Sequence, residues 1–136
     1  MPLVIDASIA LAWCLSDERD AYSMSVLQKL TGDDAVEPHL WLVEVANGLL
    51  LAERRGRISS AEVVEARSIL ENLPIAIYDL AISDVFEPVL SLARSQSLTA
   101  YDACYLYVAL TRGLPLATLD SDLRAAAERT GVVLAS

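Results

Sequence analysis

Short apolar, β-branched runs alternate along this chain with longer stretches in which apolar residues recur at helical spacing. Leu3-Val4-Ile5 is a strand that ends at Asp6, and Ala7-Ser8 opens the apolar stretch 9–15, which reads as a helix. Residues 19–30 make a second helix, stopped by Thr31-Gly32-Asp33, and residues 35–37 before Pro38 make a weak short strand. A long helix over 40–55 ends at Gly56, a natural left-handed cap. Ser59 with Glu62 three positions on is a capping box that opens the next helix, to about Asn72, so these two form a helical hairpin. After Pro74 come a strand over 75–78 and a helix over 83–95, in which Pro88 must sit in the first turns or kink the axis. Thr99 caps a helix over 100–112 that Gly113 ends, residues 114–118 are a strand closing at Asp120, and a helix over 122–129 stops at Gly131 before a final strand at 132–134. Strands alternating with helices call for an α/β architecture with a parallel sheet covered on both faces.

A length of 136 residues predicts one domain over 1–136, and a hydrophobic fraction of 54% supplies a core and excludes disorder. The longest unbroken apolar run, 103–110, is far short of the roughly 20 residues a membrane helix requires, so a soluble, cytoplasmic protein is expected. Cys14 and Cys104 lie in apolar sequence without partners at zinc or redox spacing and read as reduced core thiols. The net charge of −9 removes diffuse attraction to nucleic acid; if the protein meets RNA or DNA, cations must mediate.

Four acids stand apart by position. Asp6 and Asp120 each follow the carboxyl end of a predicted strand, where open α/β sheets bind ligands at the reversal of strand order, although Asp there is also a common turn or cap residue. Glu44 is the only ionisable side chain from 40 to 52, on a helix apolar nearly all round and therefore expected to be buried. It has no Lys or Arg one turn away, so a metal or a partner from elsewhere in the fold must compensate its charge; a place at a subunit rim is the alternative. Asp102 follows Thr99 by three in the first helical turn, where it can complete a capping box or face a site. Together these acids suit a hard divalent cation, Mg²⁺ or Mn²⁺, which prefers carboxylate and water oxygens. His39 is the only histidine, which leaves no His-rich zinc site, and the five scattered glycines form no phosphate loop.

With these residues in place the chain resembles the PIN-domain nucleases, and among them the VapC toxins of toxin-antitoxin pairs. Val4-Ile5-Asp6-Ala7-Ser8 is similar to the family's first strand and first acid, Glu44-Val45-Ala46-Asn47 to its second motif, Tyr101-Asp102-Ala103 to its third and Ala117-Thr118-Leu119-Asp120 to its fourth. The resemblance implies a three-layer α/β/α fold with a central parallel sheet of about five strands, and Asp6, Glu44, Asp102 and Asp120 gathered around Mg²⁺ or Mn²⁺. It further implies a ribonuclease that a cognate VapB-like antitoxin holds inactive. Asp6 and Asp102 would be the principal ligands, Glu44 would act through water or help deprotonate the nucleophile, and Asp120 would complete the site or a second, weaker metal position. Ser8 and Thr118 are candidates to hydrogen-bond the ligating carboxylates or substrate, Asn47 to orient Glu44, and Asp122 either a further acid or a helix cap.

Several apolar helices in a short chain leave surplus hydrophobic surface, which predicts a homodimer and a groove for an amphipathic antitoxin segment among the helices of 9–30 and 40–72. The basic cluster around Arg54, Arg55 and Arg57 is either dipole complementation at a helix end or a contact for RNA phosphates. Two rivals stand beside the ribonuclease reading. One is a metal-dependent phosphatase on a similar fold, which would want an Asp where Ser8 stands; the other is a binding or autoregulatory module acting mainly through its antitoxin complex.

Overall fold

The computed structural model describes residues 1–136. Strands β1 (Val4–Ile5), β2 (Ala35–Pro38), β3 (Ile75–Tyr78) and β4 (Leu116–Ala117) run parallel in the order β3-β2-β1-β4. Val4 lies opposite Leu116 and Ile5 opposite Ala117, Ala35 to Pro38 pair with Ile75 to Tyr78, and a single bridge, Leu3 to Ala35, joins the two halves. Every residue of β1, β2 and β4 is buried, as strands covered on both faces must be, while β3 at the edge is partly open. The expected fifth strand is reduced to one bridge, Leu116 to Leu134. β4 itself is only two residues long, confined between Pro115, which has no N–H to donate, and Thr118, whose hydroxyl is committed to the Asp6 carboxylate.

The helices are α1 (Ala7–Cys14), α2 (Ala21–Lys29), α3 (Leu40–Arg54), α4 (Ser60–Glu71), α5 (Ile82–Asp84), α6 (Leu90–Gln96), α7 (Ala100–Arg112) and α8 (Ser121–Thr130). α1 packs on α2 and α3, and α3 on α4; α7 lies along β1, β2 and β4 with α6 and α8 against it. The Ser59–Glu62 capping box opens α4 as expected, and α3 ends in a Schellman turn: Gly56 is left-handed, and the Arg57 N–H reaches back to the Ala52 carbonyl. The helix expected over 83–95 is instead α5 and α6 joined by a π-helical turn, Val85–Val89, which widens the backbone around Pro88 and absorbs its missing N–H. Both cysteines are free, Cys104 buried and Cys14 half-buried. No helix is long and apolar enough to cross a membrane.

α3 departs from its expected burial. Trp41, Val45, Leu49 and Ala52 form one buried stripe, with Gly48 beside it so close to α1 that a methyl there would lie 2.5 Å from Leu11 Cδ1. The opposite face leaves Val43 and Leu50 exposed, and Leu42 is exposed at the stripe's edge. One helix face is all that α1 and the sheet can cover, so an all-apolar sequence here yields an apolar surface as well as a core.

Chain order fixes where a ligand can sit. The chain steps outward from β1 to β2 to β3, then crosses back to lay β4 on the other side of β1. The reversal falls between β1 and β4, and the crevice beyond their carboxyl ends is the ligand position of such sheets.

Candidate functional site

Asp6 leaves β1 directly into that crevice. It is the N-cap of α1, is 4% exposed, and both its oxygens are engaged: Oδ1 accepts from Ser8 Oγ at 2.6 Å and from the Ile9 N–H at 3.4 Å, and Oδ2 accepts from the Thr118 hydroxyl. The two hydroxyls continue into the loop after β4, where Ser8 Oγ accepts the Leu119 N–H and Thr118 Oγ1 accepts the Asp120 N–H, each at 3.0 Å. A small hydroxyl lattice thus ties the ends of β1 and β4 around one carboxylate. Burial pushes the Asp6 carboxyl up to about 6, outweighing the hydrogen bonds from Ser8, Thr118 and Ile9 that act to lower it.

Asp120 caps α8, its Oδ1 accepting the N–H groups of Asp122 at 2.8 Å and Leu123 at 3.1 Å, so the ordinary capping reading of this acid is true and leaves its second oxygen over. Asp122 is exposed and caps nothing; the cap expected of it belongs to Asp120. Asp102 donates its N–H to Thr99 Oγ1 at 3.1 Å, but its side chain does not return to Thr99, so the reciprocal half of the expected capping box is missing and the half-buried carboxylate is left uncommitted.

Asp102 also reports what surrounds it. Its carboxyl is pushed up to about 6, first by burial and then by the charges of Asp120, Asp6, Glu44 and Asp122. Every charged group that acts on it is an acid, and the only counter-influences on Asp6 are hydrogen bonds. All four predicted acids, with Asp122 at the rim, therefore share one electrostatic neighbourhood, and none of them is in an ion pair: Arg124, which donates to the Thr118 carbonyl at 2.9 Å, reaches the cleft's edge without pairing with an acid. Asn47, by contrast, is exposed on α3 and its side chain hydrogen-bonds to nothing in the chain; it does not orient Glu44.

That task falls to Tyr105, which lies outside all four acidic motifs. Its buried phenol donates to Glu44 Oε1 at 2.6 Å, and burial followed by that bond pushes the phenol far above its usual value. The available signal was spacing, since Tyr105 lies three residues after Asp102 on the same face of α7. A second omission is Glu37 in β2, fully buried, with Oε1 accepting the Ile5 N–H at 2.9 Å and Oε2 without a partner. Burial drives its carboxyl well above the usual range, with Asp6 adding to the effect.

The donor set is entirely oxygen, anionic and uncompensated, which is the chemistry a hard divalent cation satisfies. The side chains as positioned do not converge on one point: no group of three or more His, Cys, Asp or Glu is spaced to hold a single ion. The basic cluster sits elsewhere. Arg54 and Arg55 are ten or more residues beyond Glu44 on α3, about 15 Å along the axis, and Arg57 is engaged by Asp17 and Glu18 at 2.9 Å each.

Residues 3–129, which include all four acids, match the family model described as PIN domain. The chain belongs to the PIN-domain family. Among curated relatives of this PIN domain, Ribonuclease VapC9 of Mycobacterium tuberculosis is 32% identical over 122 residues, covering 90% of this chain and 87% of the relative. Among solved structures, PAE2754 from Pyrobaculum aerophilum superposes with a TM-score of 0.69 at 28% identity, over 93% of this chain and 87% of that one. A chain from a toxin-antitoxin complex of Klebsiella pneumoniae shares the fold, with a TM-score of 0.62 at 17% identity over 88% of this PIN domain and 87% of that chain.

Proposed function

We propose that this PIN domain is a metal-dependent endoribonuclease, the toxin of a toxin-antitoxin pair, hydrolysing RNA phosphodiester bonds at the crevice beyond β1 and β4. The observation that carries the reading is Asp102: four other carboxylates bear on it, and none of the five is in an ion pair. Such an arrangement is costly to fold without a cation and is retained where the cation is used. The relatives named as VapC ribonucleases support the choice of RNA and of phosphodiester hydrolysis.

Asp6 and Asp102 are the residues we assign to hold Mg²⁺ or Mn²⁺, with Glu44 and Asp120 completing the set. When bound, the ion supplies charge neutralisation at the scissile phosphate and activation of water. The chain's own contribution is orientation. Ser8 and Thr118 fix the Asp6 carboxylate, Tyr105 holds Glu44 by Oε1, and Glu44 Oε2 remains free to accept a proton from water. Neutralising the cleft also makes RNA approach possible for a chain of net charge −9.

The partner in this reading is a VapB-like antitoxin. Its seat is an apolar groove of about 400 Å³ between α3 and α4, floored by Trp41, Val45 and Leu49 and edged by Arg67 and Glu71, within the helical span expected for it. The exposed Val43 and Leu50 on the same helix, outside the groove lining, suit the homodimer contact. The deciding experiment is cleavage of structured and unstructured RNAs with Mg²⁺ or Mn²⁺, set against EDTA and against Asp6→Asn. Cutting that persists with chelator or after substitution rejects the reading, and phosphate release from small phosphomonoesters favours a phosphatase instead.

A further inference from the structure

The β1–β2 ladder stops one step before the first acid of the cleft, and two adjacent residues explain why. Along β1 the backbone donors alternate between neighbours: Leu3 N–H goes to Asp34 O on the β2 side, Val4 N–H to Pro115 O on the β4 side, and Asp6 N–H to Ala117 O on the β4 side again. Ile5 N–H is therefore due on the β2 backbone. It bonds instead to the side chain of Glu37, through Oε1 at 2.9 Å. The reciprocal half of that rung is also blocked. Val36 donates to Leu3 O, so the next donor of β2 on this edge falls at Pro38, which has no N–H.

Glu37-Pro38 thus replaces a backbone rung by a side-chain acceptor inside a fully buried part of the sheet. Placing a carboxyl there is unfavourable, and Oε2 has no hydrogen-bond partner at all. An apolar residue in the same place would pack the sheet better but would orphan the Ile5 N–H, directly before Asp6. The wedge also lies within electrostatic reach of both Asp6 and Tyr105, hence under the cleft and not at a distant part of the core.

We propose that Glu37 is a positioning residue for Asp6: its carboxyl, standing in for the rung that Pro38 removes, sets where the first acid of the cleft leaves the sheet. This rests on Asp6 being a cation ligand. Neither the four acidic motifs nor the hydroxyl lattice assigns Glu37 any part in the site. Glu37 touches no reacting atom; it acts through the Ile5-Asp6 backbone.

The test compares Glu37→Gln, which keeps an acceptor and the side-chain shape, with Glu37→Met, which keeps the bulk and loses the acceptor, and Glu37→Asp, which keeps the acid but draws it back by one methylene. Mn²⁺ dissociation constants are measured on the whole folded chain, and amide exchange of Ile5 and Asp6 is measured without metal. Glu37→Gln is expected to hold both amides protected and Mn²⁺ affinity within about twofold of wild type, while Met and Asp weaken Mn²⁺ by roughly tenfold or more, the scale of lost outer-sphere support. Leu30→Ala, a core truncation away from the acids, controls for stability alone and should leave Mn²⁺ affinity unchanged. Wild-type affinity in folded Glu37→Met or Glu37→Asp overturns the proposal, as does an equal loss in Leu30→Ala. If Glu37→Met does not fold, Glu37→Asp decides. If wild type binds no Mn²⁺, the cation reading of the acids fails, and Asp6 amide protection still judges the positioning: faster exchange in Glu37→Asp supports it, unchanged exchange overturns it.

Discussion

Two sets of carboxylates in this chain are built on opposite terms. Asp17 and Glu18, in the turn between α1 and α2, stand in solvent and share the Arg57 guanidinium, each at 2.9 Å. Asp6 at the end of β1 is buried and Asp102 at the start of α7 is half-buried, and neither is in an ion pair. The first arrangement is what surface charge does by default, pairing cheaply where water screens it. The second raises both carboxyls to about 6 and so opposes folding at neutral pH. Charges that serve the fold are paired; a cluster left unpaired at a cost points to something outside the chain that pairs with it.

The contrast is broken most sharply at Asp6. Replacing it by Asn keeps an acceptor oxygen for only one of the Ser8 and Thr118 hydroxyls, turns an NH2 toward the other, and removes one negative ligand. RNA cleavage should fall by roughly a hundredfold or more, the scale on which loss of a principal electrostatic group acts. Retention of cleavage would mean that the buried acid is not part of the chemistry.

The same substitution should stabilise the metal-free protein, and the pH dependence carries the sign. An unfolded Asp ionises near 3.8, whereas Asp6 in the folded chain ionises near 6. Between those values the native state holds the proton more tightly, so the stability present below the lower value is lost as pH rises through the upper one. Above it the shortfall for this 4% exposed group is on the order of 2–3 kcal/mol. Asp6→Asn should therefore melt about 3–8 °C higher than wild type at pH 7.5 without metal, the advantage shrinking as pH falls toward 4. Adding Mn²⁺ should raise the wild-type Tm and leave the variant's where it is, since only a state that binds the ion gains from it. Thermal melts over pH 4–8, with and without Mn²⁺, read both effects.

How much of this could be read before the structure depends on what kind of physics each feature obeys. The strand–acid junctions at Asp6 and Asp120, the Gly56 turn and the Ser59 cap are local, and short windows of sequence announce them. The parallel order β3-β2-β1-β4 follows from alternation of elements, and with it the crevice. The length of β4, the loss of the last strand to a single bridge and the π turn at Pro88 are set by competing hydrogen bonds, so sequence boundaries there were too generous. α3 was misjudged because an apolar helix may be covered by its own chain or await another surface, and composition is the same for both. Tyr105 and Glu37 were missed for a further reason. Their roles exist only across registers: Tyr105 reaches Glu44 from 61 positions away, and Glu37 meets an amide left open by the pairing of other strands.

Tyr105→Phe sharpens the comparison by one hydrogen bond. It leaves Glu44 Oε1 without its donor and the ring otherwise in place. Hydrogen bonds to charged groups are worth about 1.5–3 kcal/mol when buried, and Glu44 is only half-buried, so a Tm drop of a few degrees and a roughly tenfold fall in kcat are expected. KM should hardly move, because the phenol orients an acid and does not meet RNA. A fall in KM-limited rate with unchanged kcat would assign Tyr105 to substrate contact instead.

The smallest effect is expected on the other side of the comparison. Arg57→Ala removes the base that Asp17 and Glu18 share, in a turn where all three side chains remain open to solvent. Screening and the entropy of holding long side chains cancel most of what such pairs supply, so Tm should shift by less than about 2 °C, and less still in high salt. Cleavage should be unaffected, because the clasp lies past the far end of α3 from Glu44 and its guanidinium is already occupied. A rise in KM together with a shallower dependence of binding on salt would show that Arg57 leaves its acids to meet RNA phosphates, and the line drawn here between structural and functional charge would then have to be moved to include the α3–α4 turn.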